Sequence, residues 1–352
     1  MKILIVKTSS LGDIVHSFSA LAFLKKAYPH ATIDWVVEQP FASLLTAHPY
    51  VDRVITINTK KWRRKPFSFS IWHEVKEFYQ QLRHEYDVVF DLQGNSKSGL
   101  ITAFARSKNK VGFGLSSVWE YPNLLFTNTK FNPPKEENVR KEGKFLVKSY
   151  CQQDHQVDDR VLLKISEEES RWLHHFCQNS LLQGKRKIFV APGSHWKNKQ
   201  VDVRTLIQFL ALLLQEEACC FVVTYGNDSE KIIAEEIKKK LQPVLLVEKL
   251  SLPLLQNLMA KMDSVVAMDS LPLHLAATTS TPTFGIFGPS SASKFAPTGN
   301  QHRFIQGACP YGKQFARRCS LLRSCSTGAC IKKLTPPDLL RAYKKNSLVV
   351  LN

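Results

Sequence analysis

An aspartate stands beside a glycine near the start of the chain, where its carboxylate could act as a general base. Gly12 and Asp13 follow an apolar run over residues 2–6, and a helical period begins just after them. A carboxylate in the first turn of a helix is favoured by the helix dipole, so a capping role would be enough to explain Asp13. The carboxyl end of the first strand is also where an α/β enzyme holds catalytic groups. The sequence alone leaves both roles open.

A second polar stretch combines a carboxylate, a hydroxyl and a histidine. Asp269 and Ser270 follow the apolar run 264–268, and His274 comes about one helical turn later. An N-cap followed by a core histidine would explain this stretch if it stood alone. With the strand-like run 283–287, however, it forms one parallel crossover unit, and ligands bind at the carboxyl ends of such strands.

Polar or charged residues also follow three further predicted strands. The carboxyl ends of parallel strands lie at one edge of a sheet, so these residues are expected at ligand-binding edges. They are Gln93 after the strand 86–92, Ser194 and Lys199 after 187–191, and Glu230 after 218–225.

Strand-like and helix-like periods alternate along the chain, which predicts an α/β fold. We expect two Rossmann-like domains, 1–182 and 183–352, whose parallel sheets face a central cleft. A final helix at 336–346 could pack back on the first domain. Predicted strands lie at 2–6, 32–37, 53–57, 86–92 and 110–113, and then at 187–191, 218–225, 244–247, 264–268 and 283–287.

The chain is strongly basic, with a net charge of +18 over 352 residues. Such an excess calls for an anionic partner, which could be nucleic acid, a membrane or a phosphorylated substrate. Five of the six residues in 60–65 are cationic, and Trp62 and Phe67 lie among or beside them. A charge run is usually a solvated face, but this mixture fits equally well a loop that grips an anionic, partly apolar surface.

Neither a membrane span nor an export signal is expected, because no apolar run approaches 18 residues and the N-terminus opens on a strand pattern. The eight cysteines should then stay reduced. Four of them are separated by 9, 5 and 4 intervening residues, without the close pairs of structural zinc sites, so structural thiols are favoured over a metal. They are Cys309, Cys319, Cys325 and Cys330.

Taken together, the motifs resemble the ADP-heptose:lipopolysaccharide heptosyltransferases of glycosyltransferase family 9. The resemblance is carried, from residue 1 to about 289, by MKILIVKTSSLGDIVHS, KKWRRK, DLQGNSKS, PGS with KNK, YGNDSE and MDSLPLHLAA. The first two motifs look most like the heptosyltransferase I branch. The resemblance implies a GT-B fold, with the acceptor bound by domain 1–182 and the nucleotide-sugar by domain 183–352. It also implies inversion at the sugar carbon and no metal or cofactor.

The resemblance implies a role for each matching residue. Asp13 would be the general base on the acceptor hydroxyl. Donor-binding positions would be Ser194, Lys199, Glu230, Leu250, Asp269, Ser270, Leu271 and His274. Acceptor-binding positions would be Ser10, Gly12, Lys61, Arg63, Arg64 and Gln93.

The implied reaction moves heptose from ADP-heptose to a Kdo-lipid A type acceptor. The protein would be cytoplasmic, bound peripherally to the inner membrane, and without a nucleic-acid partner. Leu271 departs from the family, which commonly has glycine there, and Val201 with Asp202 replaces the usual Trp-Pro. Another core acceptor or sugar donor therefore stays open, as does a non-catalytic protein that binds an anionic membrane or nucleic acid. A dehydrogenase is disfavoured because no Gly-x-Gly-x-x-Gly follows a strand.

Overall fold

The computed structural model describes residues 1–64 and 68–345, together with the backbone of 349–350. The chain divides into two compact units, Met1–Lys164 and Ile165–Asn352. Each unit is built on one sheet whose strand pairs are all parallel. No helix of the described residues is long and apolar enough to span a bilayer.

The first unit holds a six-stranded sheet in the order β3-β2-β1-β4-β5-β6. Its strands are β1 Lys2–Val6, β2 Thr32–Glu38, β3 Arg53–Ile57, β4 Val88–Asp91, β5 Lys110–Phe113 and β6 Thr129–Phe131. Its helices are α1 Leu11–His16, α2 Phe18–Ala27, α3 Ala42–Thr46, α4 Thr59–Arg64, α5 Phe69–Gln81, α6 Ser96–Phe104 and α7 Val139–Cys151. The chain reverses its direction across the sheet between β1 and β4, and such a switch point is where open α/β sheets bind ligands.

The second unit repeats this plan with seven strands in the order β13-β12-β11-β10-β7-β8-β9. They are β7 Arg186–Ala191, β8 Cys219–Thr224, β9 Val244–Val247, β10 Ser264–Met268, β11 Thr283–Phe287, β12 Arg303–Gln306 and β13 Val349–Val350. The helices are α8 Glu167–Cys177, α9 Val203–Glu216, α10 Asp228–Lys240, α11 Leu252–Met259, α12 Leu271–Ala276, α13 Ala292–Phe295, α14 Ala329–Lys332 and α15 Pro336–Lys344. Here the switch point lies between β7 and β10.

The central strands are apolar because helices cover both faces of each sheet. Residues 3–6 of β1 are fully buried, and so are residues 265–268 of β10. All ten predicted strands are present, with ends that shift by at most two residues. The short strands β6, β12 and β13 were not predicted, because their sequences, TKF, RFIQ and VV, are too short to show a period.

The structure shows where the division, the final helix and the basic run lie. The division falls after Lys164 rather than after residue 182, because α8 packs on α11 and Ser251 donates a hydrogen bond to Glu169. The final helix packs on α9 and beside β12 of its own unit. The predicted basic loop is helical over Thr59–Arg64, as lysine and arginine are good helix formers. Lys65, Phe67 and the predicted last residue of the final helix, 346, lie outside the described residues.

Candidate functional site

A cavity of about 290 Å³ lies in the second unit, where β7 and β10 run side by side. It is formed by the loops that leave the carboxyl ends of β7, β8 and β10. Six of the eight predicted donor residues line it. The lining residues are Ala191, Gly193, Ser194, His195, Trp196, Lys199, Thr224, Glu230, Asp269, Ser270, Leu271 and Pro272.

Asp269 is the buried centre of this site. Its Oδ2 lies 2.5 Å from the Lys199 Nζ, and its Oδ1 lies 3.1 Å from the His274 Nε2. All three side chains are less than a tenth exposed. Buried charges are stable only when they are paired and hydrogen-bonded, so this arrangement keeps an ammonium group fixed beside the cavity.

The charge state of Asp269 follows from its neighbours. Burial alone would raise the pKa of the carboxyl group. The hydrogen bond from His274 and the positive charge of Lys199 outweigh burial and lower that pKa well below its ordinary value. Asp269 is therefore a carboxylate at neutral pH, which a merely apolar pocket would not allow.

Glu230 reaches the cavity from the first turn of α10. Its backbone N–H donates to the N-cap Asn227 at 3.0 Å, and its Oε2 accepts from the Gly226 N–H at 2.8 Å. The carboxylate packs directly on Gly193, where an added Cβ would lie 2.3 Å from the Glu230 Oε1. Glycine is thus required at position 193 for the carboxylate to occupy this place.

Ser270 and Leu271 begin the short helix α12 at the mouth of the cavity. The Ser270 hydroxyl donates to the Met268 carbonyl at 3.3 Å, so the resting side chain turns back on β10. Leu271, which stands where the family commonly has glycine, lines the cavity. Leu250 follows β9, and His274 stands behind Asp269; neither lines the cavity directly.

The switch point of the first unit brings together the other predicted group. Asp13 Oδ2 accepts hydrogen bonds from the Ser10 N–H at 3.1 Å and the Ser10 hydroxyl at 2.7 Å. Gln93, after β4, accepts through its Oε1 from the Thr8 and Ser9 N–H groups at 3.2 and 3.3 Å. Gln93 therefore fixes the loop that carries Ser10, Gly12 and Asp13. The capping role of Asp13 is present, and it places the carboxylate at the start of α1, just beyond the carboxyl end of β1.

Asp91, at the end of β4, stabilises this edge of the sheet through its hydrogen bonds and was not among the predicted site residues. Its carboxylate is fully buried and accepts from the Gln93 and Gly94 N–H groups, the Ser98 hydroxyl and the Asn123 amide, at 2.6–2.9 Å. Burial raises the pKa of Asp91, although these four hydrogen bonds oppose that rise. An acidic residue at the end of an otherwise apolar strand was the available signal.

The basic residues of α4 are exposed on the first unit. Lys60, Arg63 and Arg64 point outward, while Lys61 forms an ion pair with Glu74 of α5. Phe69 and Trp72 occupy the same side of the first turn of α5 and are 87% and 63% exposed. The cations and the aromatic rings are therefore neighbours in the chain on a solvent-facing part of this unit.

None of the eight cysteines is in a disulfide. In the described part of the chain, no group of three or more His, Cys, Asp or Glu side chains is placed to hold a metal ion.

Comparison with known proteins decides the family. The profile of glycosyltransferase family 9 (heptosyltransferase) matches residues 75–324, well over half of the chain. The chain belongs to this family. It is therefore a glycosyltransferase.

Relatives of this transferase cover nearly its whole length. It is similar to lipopolysaccharide heptosyltransferase 1 of Escherichia coli K12, at 29% identity over 82% of the chain and 88% of the relative. It is 27% identical to lipopolysaccharide heptosyltransferase 1 of Campylobacter coli, over 98% of both chains. The solved structure of E. coli heptosyltransferase WaaC with ADP matches with a TM-score of 0.78 and 25% identity, over 99% of this chain and 100% of that one. The predicted α/β fold of GT-B type is confirmed.

Several cavity residues of the transferase were missed from its sequence. Gly193, His195, Trp196, Thr224 and Pro272 line the cavity but were not among the predicted site residues. Gly193 and Pro272 stand next to predicted positions, so adjacency was a usable signal for them. Trp196 carried no such signal, because a tryptophan in a basic loop is as easily explained by exposure as by ligand contact.

Proposed function

We propose that this glycosyltransferase moves heptose from ADP-heptose to a Kdo-lipid A type acceptor of the lipopolysaccharide inner core. The observation that carries the proposal is the buried Lys199–Asp269–His274 cluster beside the cavity of the second unit. The names of its relatives, lipopolysaccharide heptosyltransferase 1, support the sugar and the acceptor class. A match that was solved with ADP supports the nucleotide.

The cavity residues suit a nucleoside diphosphate sugar. The leaving diphosphate gains negative charge in the transition state, and preorganised donors stabilise such charge best. Lys199 supplies a fixed ammonium group, and Ser194 and Ser270 supply hydroxyl donors at the rim. Glu230 supplies a carboxylate that can accept hydrogen bonds from ribose hydroxyls. The proposal gives the stabilisation of the diphosphate to these groups, without a divalent metal.

Asp13 would remove the proton from the acceptor hydroxyl as that oxygen attacks the anomeric carbon. The bond from this carbon to the diphosphate oxygen breaks as the new glycosidic bond forms, so the configuration inverts. General bases must lie within hydrogen-bond reach of the proton they remove, and Ser10 holds the Asp13 carboxylate at the edge where a ligand would bind.

The acceptor and the membrane would be met by α4 and the start of α5. Lipid A carries phosphates and acyl chains, which match the exposed Arg63 and Arg64 and, a few residues further along the chain, the exposed Phe69 and Trp72. Each cation near an anionic surface contributes about 1 kcal/mol. The protein would then act at the cytoplasmic leaflet of the inner membrane as a peripheral protein, and not on nucleic acid.

The proposal is tested with purified protein, Kdo-lipid A and a panel of nucleotide-sugars, with the product read by mass. ADP-heptose should give a product that is one heptose heavier, and EDTA should leave the rate unchanged. Asp13→Asn should keep ADP binding but lower the transfer rate by about 10²–10⁴, the usual share of a general base. Transfer by Asp13→Asn at the wild-type rate would show that Asp13 is only a helix cap.

Two further arms separate the substrates. Neutralising Arg63 and Arg64 together should raise the acceptor KM but not the donor KM, and the effect should shrink at high salt. Leu271 in the cavity wall favours one alternative, a different sugar on the same nucleotide. Transfer from another ADP-sugar in preference to ADP-heptose would establish that alternative.

A further inference from the structure

Neighbouring side chains of one short turn point in opposite directions beside the donor cavity. Lys197–Lys199 form a single 3₁₀ turn, in which Lys199 reaches inward to Asp269. Asn198 instead donates from its Nδ2 to the carbonyl oxygens of Leu322 at 3.0 Å and Cys325 at 2.8 Å. The amide group of Asn198 thus joins this turn, Lys197–Lys199, which we call the lysine turn, to a segment more than 120 residues further along the chain.

That segment, residues 317–328, is the stretch that carries two of the four C-terminal cysteines, and we call it the cysteine segment. At its start it pairs with the chain that leaves β11: the Ser291 N–H donates to Arg317, and the Cys319 N–H donates to Pro289, both at 2.8 Å. At its end Gly328 has a left-handed backbone with φ +58°, and an added Cβ would lie 2.9 Å from the Asn198 Oδ1. The segment is therefore anchored to the sheet and shaped to receive Asn198.

A second contact joins the same two parts of the chain. The Arg323 guanidinium lies 4.9 Å from the ring centroid of Trp196, which lines the donor cavity. Arg323 is exposed, so this cation–π contact is expected to be weaker than the two hydrogen bonds of Asn198.

The lysine turn has few backbone hydrogen bonds of its own, so contacts with the cysteine segment matter for its position. Within it, the Lys199 N–H donates to Trp196 at 2.8 Å and the Gln200 N–H donates to Lys197 at 3.1 Å. A 3₁₀ turn of this length has poor hydrogen-bond geometry and little rigidity of its own. Binding sites lose function when a group shifts by about 1 Å, so an external anchor has a direct effect on the lysine.

We propose that the cysteine segment positions the donor-binding lysine, and that Asn198 is the positioning residue that connects them. The inference rests on the proposed function, in which Lys199 binds the diphosphate of the donor. Asn198 does not line the cavity; it acts through the place that it gives to Lys199.

The test measures KM for ADP-heptose and for Kdo-lipid A separately, with thermal unfolding as a check on folding. Asn198→Ala should raise the donor KM roughly tenfold, the change given by about 1.4 kcal/mol, and leave the acceptor KM unchanged. Asn198→Asp should be worse than Asn198→Ala, because it sets a carboxylate against two carbonyl oxygens. Arg323→Ala should raise the donor KM by about two- to fivefold.

A matched control is Gln183→Ala, which removes another side-chain amide bond, to the Cys177 carbonyl at 3.0 Å, before the amino end of β7. It should change neither KM. A double-mutant cycle gives the sharper result: in a Lys199→Ala background, Asn198→Ala should change the donor KM by less than about twofold, because its effect passes through the lysine.

The outcomes separate the two proposals. If Lys199→Ala leaves the donor KM unchanged, the donor site is wrong, and the positioning role fails with it. If Lys199→Ala raises the donor KM but Asn198→Ala does not, or if the two effects simply add, the positioning role alone is overturned. Should Asn198→Ala fail to fold, Arg323→Ala decides: an increased donor KM supports the inference, and an unchanged one refutes it.

Discussion

Replacing Asp269 by asparagine removes one negative charge from a site where Lys199 and His274 both depend on it. The carboxylate accepts from Lys199 through one oxygen and from His274 through the other. Asparagine has nearly the same shape but only one acceptor oxygen. The amide oxygen can still accept from Lys199, but the amide nitrogen then faces the His274 Nε2, which can accept only as its other tautomer. The buried ammonium group of Lys199 is also left without a carboxylate, in a place that water barely reaches.

The loss in free energy of unfolding can be estimated from the burial of the Lys199–Asp269 pair. Removing one partner of a buried ion pair usually costs about 3–5 kcal/mol, because the other charge is left unpaired. For a domain of 150–250 residues, each kcal/mol lowers the melting temperature by roughly 2–4 °C. Asp269→Asn is therefore expected to melt roughly 6–20 °C below the wild type. An exposed control, Asp263→Asn, keeps an acceptor oxygen for the Lys187 N–H and loses only an exposed negative charge, so it should cost no more than about 1 kcal/mol.

The assay is calorimetric unfolding of ligand-free protein, so no substrate is needed. Lys199→Met removes the ammonium but leaves Asp269 bonded to His274, and it should cost less than Asp269→Asn. The double variant has no unpaired lysine, so it should recover at least 1–2 kcal/mol relative to Asp269→Asn alone. If the two single losses simply add in the double variant, the buried cluster does not behave as a coupled pair and the reasoning fails.

Two further predictions concern a glycine in the cavity and a buried histidine. Gly193→Ala should displace Glu230, because the new Cβ would lie 2.3 Å from its Oε1, and this should raise the donor KM at least tenfold. The control Gly226→Ala places its Cβ 3.4 Å from the Glu230 Oε2 and should have little effect on the donor KM. Equal donor KM values for the two variants would contradict this prediction. Burial lowers the pKa of His48 to about 3, from an ordinary value of 6.5, so the folded protein keeps this imidazole neutral. The unfolded chain therefore binds the extra proton, and stability that is fully present above pH 6.5 is lost as the pH falls towards 3, by about 2 kcal/mol at pH 5. His48→Leu should remove that part of the acid sensitivity, and an unchanged difference in unfolding free energy between pH 7 and pH 5 would refute it.

The fold was predictable because its signals are local. Buried parallel strands such as β1 and β10 are short apolar runs, and each is followed by polar residues at a strand end. That pattern identified Asp13 and Asp269 as edge residues without any knowledge of their partners. The helix α4 was missed for the opposite reason, since its lysines and arginines favour a helix locally while the charge run drew the interpretation towards a loop.

The partners within the site were not predictable, because they depend on which strands become neighbours. Lys199 and Asp269 are 70 residues apart, and they meet only because β10 pairs with β7. The same holds for Asp91, because its partners Ser98 and Asn123 come from α6 and from the 3₁₀ turn Tyr121–Leu125. Residue type and strand position gave the list of candidates, whereas burial and pairing came with the tertiary structure.

The pairing of Lys199 with Asp269 also bears on the proposed chemistry. The Asp269 carboxylate holds the Lys199 Nζ in one direction before any donor arrives. An incoming diphosphate would then share the cation with Asp269, and Asp269 would retain the hydrogen bond from His274. Within the proposed function, Lys199 can therefore turn towards the leaving group while the Asp269 carboxylate still accepts a hydrogen bond from His274.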